Sequence, residues 1–241
     1  MAQQTELQLR TRLAAGRQRS LTGWFSFKKI CSAPHASLIV RLMMAANDIQ
    51  LANWSLVGWH EKQPGMRRHM QQGAIQYFIR LQCGHLREAI KLIRELRRQP
   101  DLMDRLSRCT SEAKRAFTNL EDCLRDGDNY QKYEDLIGRM RDEIAFHYDP
   151  AQTKKALERL AEENSLAAKV TLGMDIFLER FNLADAVMNT IFVRELMRVE
   201  PSCDVNKEFN SIREFVNKLC TSYLRFAREY AVNYLREYAS A

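Results

Sequence analysis

The side chains best suited to proton transfer and phosphate binding lie together between residues 139 and 150, in the run Arg-Met-Arg-Asp-Glu-Ile-Ala-Phe-His-Tyr-Asp-Pro. A histidine has a pKa close to neutral, so it can accept or donate a proton at physiological pH. An arginine carries a planar group that matches a phosphate through two hydrogen bonds. Arg141, Asp142, His147 and Tyr148 therefore make this segment the strongest candidate for a functional site.

The segment ends where one helix is predicted to give way to the next. Asp149 is a candidate N-cap, Pro150 suits the first helical position, and Gln152 follows three residues after the cap. Because Pro150 disfavours a helical backbone at the preceding residue, the motif helix should end near His147 or Tyr148. The histidine is therefore predicted to lie at a helix terminus.

The spacing of Arg141 and His147 requires a local distortion if one helix is to present both side chains. Six positions along a regular helix separate them by about 120° around the axis and ~9 Å along it. An unwound last turn would reduce that separation. The spacing has little specificity alone, because roughly 1.6 such pairs are expected by chance. The other pair, Arg80 and His85, lies in the middle of a predicted helix and has Leu81 after the arginine.

Hydrophobic spacing is helical along nearly the whole chain, with no convincing alternation of the kind that predicts strands. Pro100 is predicted to stop the second long helix, and Asp128 to cap the motif helix, with Gln131 completing a capping box. Apolar stripes mark three long helices at 38–56, 75–93 and 209–234, of which the first begins after Pro34. Further helical stretches are predicted over 111–124, 128–148, 150–160 and 170–197.

Composition limits the class of protein. The chain has 241 residues, of which 46% are hydrophobic and 28% charged, with 9 Gly and 5 Pro. These values exclude a disordered polymer and argue against a loop-rich β-sandwich. The net charge of +7 comes mainly from arginine, which is compatible with phosphate binding.

Two further features suggest where the protein works. No apolar stretch approaches the ~20 residues that span a bilayer, so no membrane association is expected. The 6 cysteines have no paired spacing. They are predicted to be buried free thiols, which indicates a reducing cytoplasm.

Residues 36–165 resemble the HEPN superfamily of small all-α proteins, whose signature is an Arg, then four to six residues, then a His. A polar residue commonly follows that Arg. Here Arg141-Asp142 and His147-Tyr148 match the signature, and the preceding layout of two long helices and a shorter one is similar. We therefore predict an all-α, HEPN-like helical bundle. Its parts are an N-terminal arm over 1–35, the HEPN-like domain over 36–165 and a C-terminal helical extension over 166–241 packed on it.

The resemblance implies a metal-independent endoribonuclease, in which the 2′-OH of RNA attacks the adjacent phosphate and a 2′,3′-cyclic phosphate is formed. On this basis His147 is predicted to move the proton, Arg141 to bind the phosphate, and Asp142 to orient one of them. Tyr148 and Arg139 are predicted to bind the substrate. The resemblance also implies no metal or other cofactor, a homodimer whose two motifs line one cleft, and a toxin or defence role. In some members an antitoxin-type nucleotidyltransferase opposes the toxin.

Two of these residues also have a purely structural interpretation. His147 could bond the last carbonyls of its helix, and Arg141 could pair with Glu134 on the surface. The alternative function is a non-catalytic HEPN-like module that binds RNA, nucleotide or a protein partner, and an unrelated helical scaffold is a further alternative.

Two other groups of residues could be mistaken for sites. Cys83 and His85 are metal-ligand types, but no second pair accompanies them, so packing in a helix is the expected role. The terminal helix mixes aromatic residues with arginine, as a base-stacking surface does. At helical spacing such aromatics are more often core.

Overall fold

In the computed structural model, the described residues are 26–60, 68–138, 150–163, 182–191 and 205–238. Within these ranges every regular element is a helix and there is no strand, which confirms the predicted all-α class. The elements are α1 (Phe27–Ser32), α2 (Ala36–His60), α3 (Arg68–Arg97), α4 (Pro100–Ser107), α5 (Ser111–Glu121), α6 (Tyr130–Tyr133) with a π-helix (Glu134–Gly138), α7 (Pro150–Glu163), α8 (Asn182–Thr190) and α9 (Val205–Tyr238).

Helices α2 and α3 form an antiparallel pair. Near one end Arg41 contacts Glu95, and towards the other end the Gln82 amide donates a hydrogen bond to Asn53. Apolar side chains recurring every three or four residues fill the space between these contacts, as in Leu42 and Ile49 of α2, which are fully buried. This pair forms one side of the helical bundle.

The terminal helix α9 packs against α2, α3 and α5 in a single hydrophobic core. Of the stripe that the sequence predicts, the buried members are Ile212, Val216, Leu219, Tyr223, Tyr230 and Tyr234, and Phe226 is buried beside them. The side chain of Phe209, the first residue of that stripe, lies outside the described part of the structure. The aromatic residues of α9 are therefore core residues, as their helical spacing predicted, rather than a base-stacking surface.

Three tyrosine hydroxyls of α9 donate hydrogen bonds to backbone carbonyls outside that helix. Tyr223 donates to the carbonyl of Leu42 at 3.2 Å, Tyr230 to Leu102 at 2.8 Å, and Tyr234 to Pro34 at 2.6 Å. A buried hydroxyl without an acceptor is costly, so these bonds allow the large rings to be buried. They also fix where α9 lies along its neighbours.

Among the described residues most predicted helix boundaries agree with the structure, but the capping box at Asp128 is wrong. Helix α3 ends before Pro100, which begins α4, and α7 begins at Pro150. The N-cap of α6 is Asn129, with no side-chain cap bond. Gln131 does not turn back to the helix start but donates to Asp135, four residues further on, at 3.0 Å.

Four cysteines are buried free thiols, as predicted: Cys83, Cys109, Cys123 and Cys220. Burial raises the pKa of Cys123 and of Cys220 to about 12, so these thiols stay protonated near neutral pH. The prediction is wrong for Cys31, which is exposed because α1 is a six-residue helix that buries none of its side chains. Cys203 lies outside the described residues.

The turn between α5 and α6 needs glycine at residue 127. The N–H of Gly127 bonds the Leu124 carbonyl at 2.8 Å, and Asn129 N–H bonds the Asp122 carbonyl at 2.9 Å. A Cβ at residue 127 would lie 2.3 Å from that Asp122 oxygen. The same turn is tied to α3, since Arg97 hydrogen-bonds both carboxylate oxygens of Asp126 and thereby lowers the pKa of that carboxyl.

We expect Gly127→Ala to lower the free energy of unfolding by about 1–3 kcal/mol, because the backbone of the turn must move to admit the methyl group. Gly58→Ala is the matched control, since nothing lies within 4 Å of a Cβ there and alanine is the better helix former. Urea unfolding of both variants measures the difference. Equal stability of the two variants would contradict the tight turn.

Among the described residues, no helix combines the length and the apolar character needed to cross a bilayer.

Candidate functional site

The five residues predicted to form the site all fall in one segment that the described ranges omit. Arg139, Arg141, Asp142, His147 and Tyr148 lie between Gly138, the last residue of the π-helix, and Pro150, the first residue of α7. Their predicted roles therefore stay predictions, and the described geometry is that of the two ends of the segment.

A π-helix precedes the segment. Residues 134–138 follow the single α-turn of α6 and pack against α3. A π-helix carries an extra residue per turn, which shifts the faces of everything that follows, and such turns are frequent at functional sites. The separation of Arg141 and His147 was estimated for a regular helix of 3.6 residues per turn. The chain departs from that geometry one turn before the motif.

An arginine on α3 holds this π-helix in place. Arg87 Nη1 donates a hydrogen bond to Glu134 Oε1 at 2.5 Å. The central carbon of the Arg87 guanidinium lies over the Tyr133 ring, 5.4 Å from the ring centroid. All three side chains are partly or fully buried. An ion pair shielded from water is worth more than the usual exposed pair, and the ring adds a cation–π contact.

The electrostatics of this group keep the arginine charged. Burial acts to lower the pKa of Arg87, but hydrogen bonds to Glu134 and Tyr133 outweigh it, and the pKa is raised. Burial raises the pKa of the Tyr133 hydroxyl in turn, although the neighbouring guanidinium opposes that effect. Neither group is poised to exchange a proton near neutral pH, so the cluster has a positioning role.

Gly138 is the point at which the π-helix admits the Glu134 carboxylate. A Cβ at residue 138 would lie 2.6 Å from Glu134 Oε2 and 3.5 Å from Arg87 Cζ. A larger residue would push the carboxylate away from its arginine. The glycine at residue 138 therefore leaves room for the Arg87–Glu134 ion pair.

This arrangement bears on the structural alternative for Arg141. That alternative pairs Arg141 with Glu134 on the surface, whereas Glu134 is half-buried and bonded to Arg87. Arg87 was missed from the sequence, because the two partners are separated by 47 positions and nothing local marks them. The site end of the bundle is organised by a long-range ion pair.

The second Arg–His pair does not form a site. Arg80 and His85 both lie within α3. The guanidinium of Arg80 lies over the Tyr77 ring, 5.8 Å from its centroid, and His85 Nδ1 lies 3.8 Å from Asp48 Oδ2. The two side chains are engaged by different neighbours. This agrees with the prediction that the spacing of Arg80 and His85 is a chance match.

Cys83 and His85 likewise do not act together. Cys83 is fully buried in the core, where burial and then the neighbouring Cys220 raise its pKa. His85 is partly exposed and faces Asp48. Among the described residues there is no group of three or more His, Cys, Asp or Glu that could hold a metal ion.

The candidate site is thus defined by a motif of catalytic residue types, by a π-helix at its start and by a new helix at Pro150. Comparisons of the chain with protein-family models, with curated proteins and with solved structures find no match.

Proposed function

We propose that the protein is a metal-independent endoribonuclease whose site is built around Arg141 and His147. RNA carries its own nucleophile next to the scissile phosphate, so the protein need only move protons and stabilise charge. The residue types of the 139–150 segment supply both functions. The observation that carries the proposal is this motif, Arg141-Asp142 followed by His147-Tyr148, placed just before a helix boundary.

The reaction balances without any co-reactant. The 2′-OH oxygen attacks phosphorus while a base accepts its proton, the bond to the 5′-oxygen breaks, and that oxygen receives a proton. The products are a 2′,3′-cyclic phosphate and a free 5′-OH. In the proposal His147 transfers a proton and Arg141 binds the additional negative charge of the transition state.

The described surroundings support this site in two ways. The described part of helix α7 starts at Pro150, the residue that the sequence predicts at the first helical position, so the motif is followed by a helix. At its other end the Arg87–Glu134 pair holds the chain at Gly138. Catalytic groups work best when rigid elements position them, and both ends of this segment are attached to such elements.

The proposal extends to partners and location. RNA is the substrate, two copies are proposed to form the working unit, and an antitoxin-type nucleotidyltransferase is a proposed opponent. The buried free thiols favour a reducing compartment, so the cytoplasm is the proposed location.

Purified protein incubated with mixed RNA in EDTA tests the activity. We expect cleavage to continue in the chelator and the fragments to carry 2′,3′-cyclic phosphate and 5′-OH ends. RNA that is bound but stays intact would favour the non-catalytic binding module instead. Fragments with 3′-OH and 5′-phosphate ends would reject the proposed chemistry.

A further inference from the structure

Helices α5 and α9 leave a polar groove between them. The two helices run antiparallel, since Thr110 contacts Glu229 at one end of the pair and Asn119 contacts Ser222 further along. This α5–α9 groove has a volume of about 290 Å³, close to the ~300 Å³ at which small-ligand pockets begin. It is lined by Ala116 and by six polar residues, which are Ser111, Glu112, Arg115, Asn119, Ser222 and Arg225. The groove therefore suits a small polar group.

Arg115 lies in this groove without an acidic partner. Its side chain is exposed, and no carboxylate among the described residues forms an ion pair with it. The second arginine of the lining, Arg225, contacts Glu112 at 3.0 Å through Nη1. Both side chains of that pair are exposed, so the pair contributes little to stability, and it uses one of the five N–H donors of Arg225. The α5–α9 groove thus has one uncompensated positive charge and several unused donors.

A buried hydroxyl also lines the groove. Ser222 is 5% exposed, and its Oγ accepts a hydrogen bond from the Asn119 amide at 3.2 Å. Because the amide supplies the proton of that bond, the hydroxyl proton of Ser222 is available, and no acceptor binds it among the described residues. Thr118 of α5, in contrast, donates its proton to the Lys114 carbonyl one turn earlier. A buried donor without an acceptor is costly, so this donor indicates a ligand.

We propose that the α5–α9 groove binds the phosphodiester backbone of RNA. A phosphodiester carries one negative charge, which balances the one uncompensated charge of Arg115. Arginine and serine are among the side chains that contact phosphate oxygens in nucleic-acid complexes, and a guanidinium contacts two such oxygens at once. Arg115 and Arg225 donate to the phosphate from the two helices, and Ser222 supplies its hydroxyl proton. A phosphate monoester carries further negative charge that the groove does not balance.

The carboxylate of Glu112 favours RNA over DNA in this groove. It contacts Arg225 through Oε1, so Oε2 is available as an acceptor. A carboxylate accepts a hydrogen bond from a ribose hydroxyl, whereas it repels a phosphate. DNA lacks the 2′-hydroxyl, so it has no donor to offset that repulsion. A chain that places a phosphate on Arg115 and the neighbouring 2′-hydroxyl on Glu112 is therefore RNA.

This inference rests on the proposed function for its ligand class, since a ribonuclease must hold RNA. It deepens that function by naming a surface that binds the substrate chain outside the motif. All the residues of the groove lie outside 139–148, and they take no part in the proton transfers. RNA binding by the groove and RNA cleavage at the motif can therefore be measured separately.

Fluorescence anisotropy of a labelled single-stranded RNA tests the groove, with the full chain carrying His147→Ala so that the RNA stays intact. In this background we expect Arg115→Ala to raise the Kd at least about 10-fold, as for a hydrogen bond to a charged group. The slope of log Kd against log salt should fall by about 0.7, the value for one phosphate of a single strand. The matched control is Arg94→Ala on α3, where the arginine is also exposed but does not line the groove. Its Kd should stay within about 2-fold of the parent, because distant exposed charges are screened by salt.

Two further variants test the other contacts in the same assay. Ser222→Ala should raise the Kd about 3-fold and leave the salt slope unchanged, since it removes a neutral donor. Glu112→Ala should lower the ratio of RNA affinity to DNA affinity at least about 3-fold, because only RNA loses a hydrogen bond. The unfolding temperature of each variant is recorded, so that a loss of structure is distinguished from a loss of contact.

The groove and the ribonuclease site can fail independently. A variant Arg115→Ala that binds RNA as tightly as Arg94→Ala does would overturn the groove, even if the wild type cleaves RNA. An RNA-to-DNA ratio unchanged by Glu112→Ala would overturn the assignment to RNA. A wild type that cleaves no RNA, together with weaker binding by Arg115→Ala, would support the groove and reject the ribonuclease.

Discussion

Replacing His147 with alanine is expected to slow RNA cleavage by about 10²–10⁴-fold, the usual contribution of a positioned general acid or base. Arg141→Ala should cost about 10²–10³-fold, as does the loss of one group that stabilises transition-state charge. Single-turnover cleavage of a labelled RNA measures both. Arg141→Lys should recover only part of the loss, because an ammonium keeps the charge but not the two-pronged hydrogen bonding.

The chain contains its own matched control for these variants. Arg80 and His85 have nearly the same spacing as Arg141 and His147 but lie within α3 and contact different neighbours. Arg80→Ala and His85→Ala should therefore leave the cleavage rate within a few-fold of wild type. Each variant's unfolding temperature is recorded alongside, so that misfolding is recognised. Equal cleavage by wild type, Arg141→Ala and His147→Ala would reject the site.

Local signals in the sequence were sufficient for the fold class and for several helix ends. Helical spacing of apolar residues predicted every described long helix, and it did so because each buries one face against the common core. Pro100 marked the end of α3, but the helix α4 that begins at Pro100 was not predicted. Pro150 marked a helix start, since a fixed φ and a missing N–H suit the first helical position. These are short-range effects, and a sequence contains them directly.

Signals of longer range were missed. The capping box at Asp128 failed because the helix begins at Tyr130 and continues as a π-helix, whose register depends on contacts with α3. The Arg87–Glu134 pair joins elements that are distant in sequence. Neither feature follows from propensity or spacing. The candidate residues 139–148 were identified from residue type and spacing alone, and their arrangement stays a prediction.

The terminal helix shows the same division between local and long-range information. Its apolar stripe was read correctly, but a stripe shows only that one face is buried, not which helices bury it. In the structure the ring centroid of Phe226 lies 5.1 Å from that of Phe117 on α5 and 5.1 Å from that of Tyr230, and the rings of both pairs are tilted to each other. Helix α9 therefore joins α5 to the α2–α3 pair in one core.

Phe226→Ala is accordingly expected to lower the free energy of unfolding by about 3–5 kcal/mol, which corresponds to a fall in unfolding temperature of roughly 6–20 °C. The ring is fully buried, so its removal leaves a cavity and also deletes two aromatic contacts. Phe226→Leu refills most of the space and should cost less than about 1.5 kcal/mol. Phe27→Ala is the control for the chemical change itself, because that ring is 84% exposed and its loss should alter stability by no more than about 0.5 kcal/mol.

If α9 were only an appendage to a core formed by the preceding helices, Phe226→Ala would melt the terminal helix alone. Calorimetry would then show two transitions, whereas a shared core predicts one transition that moves as a whole.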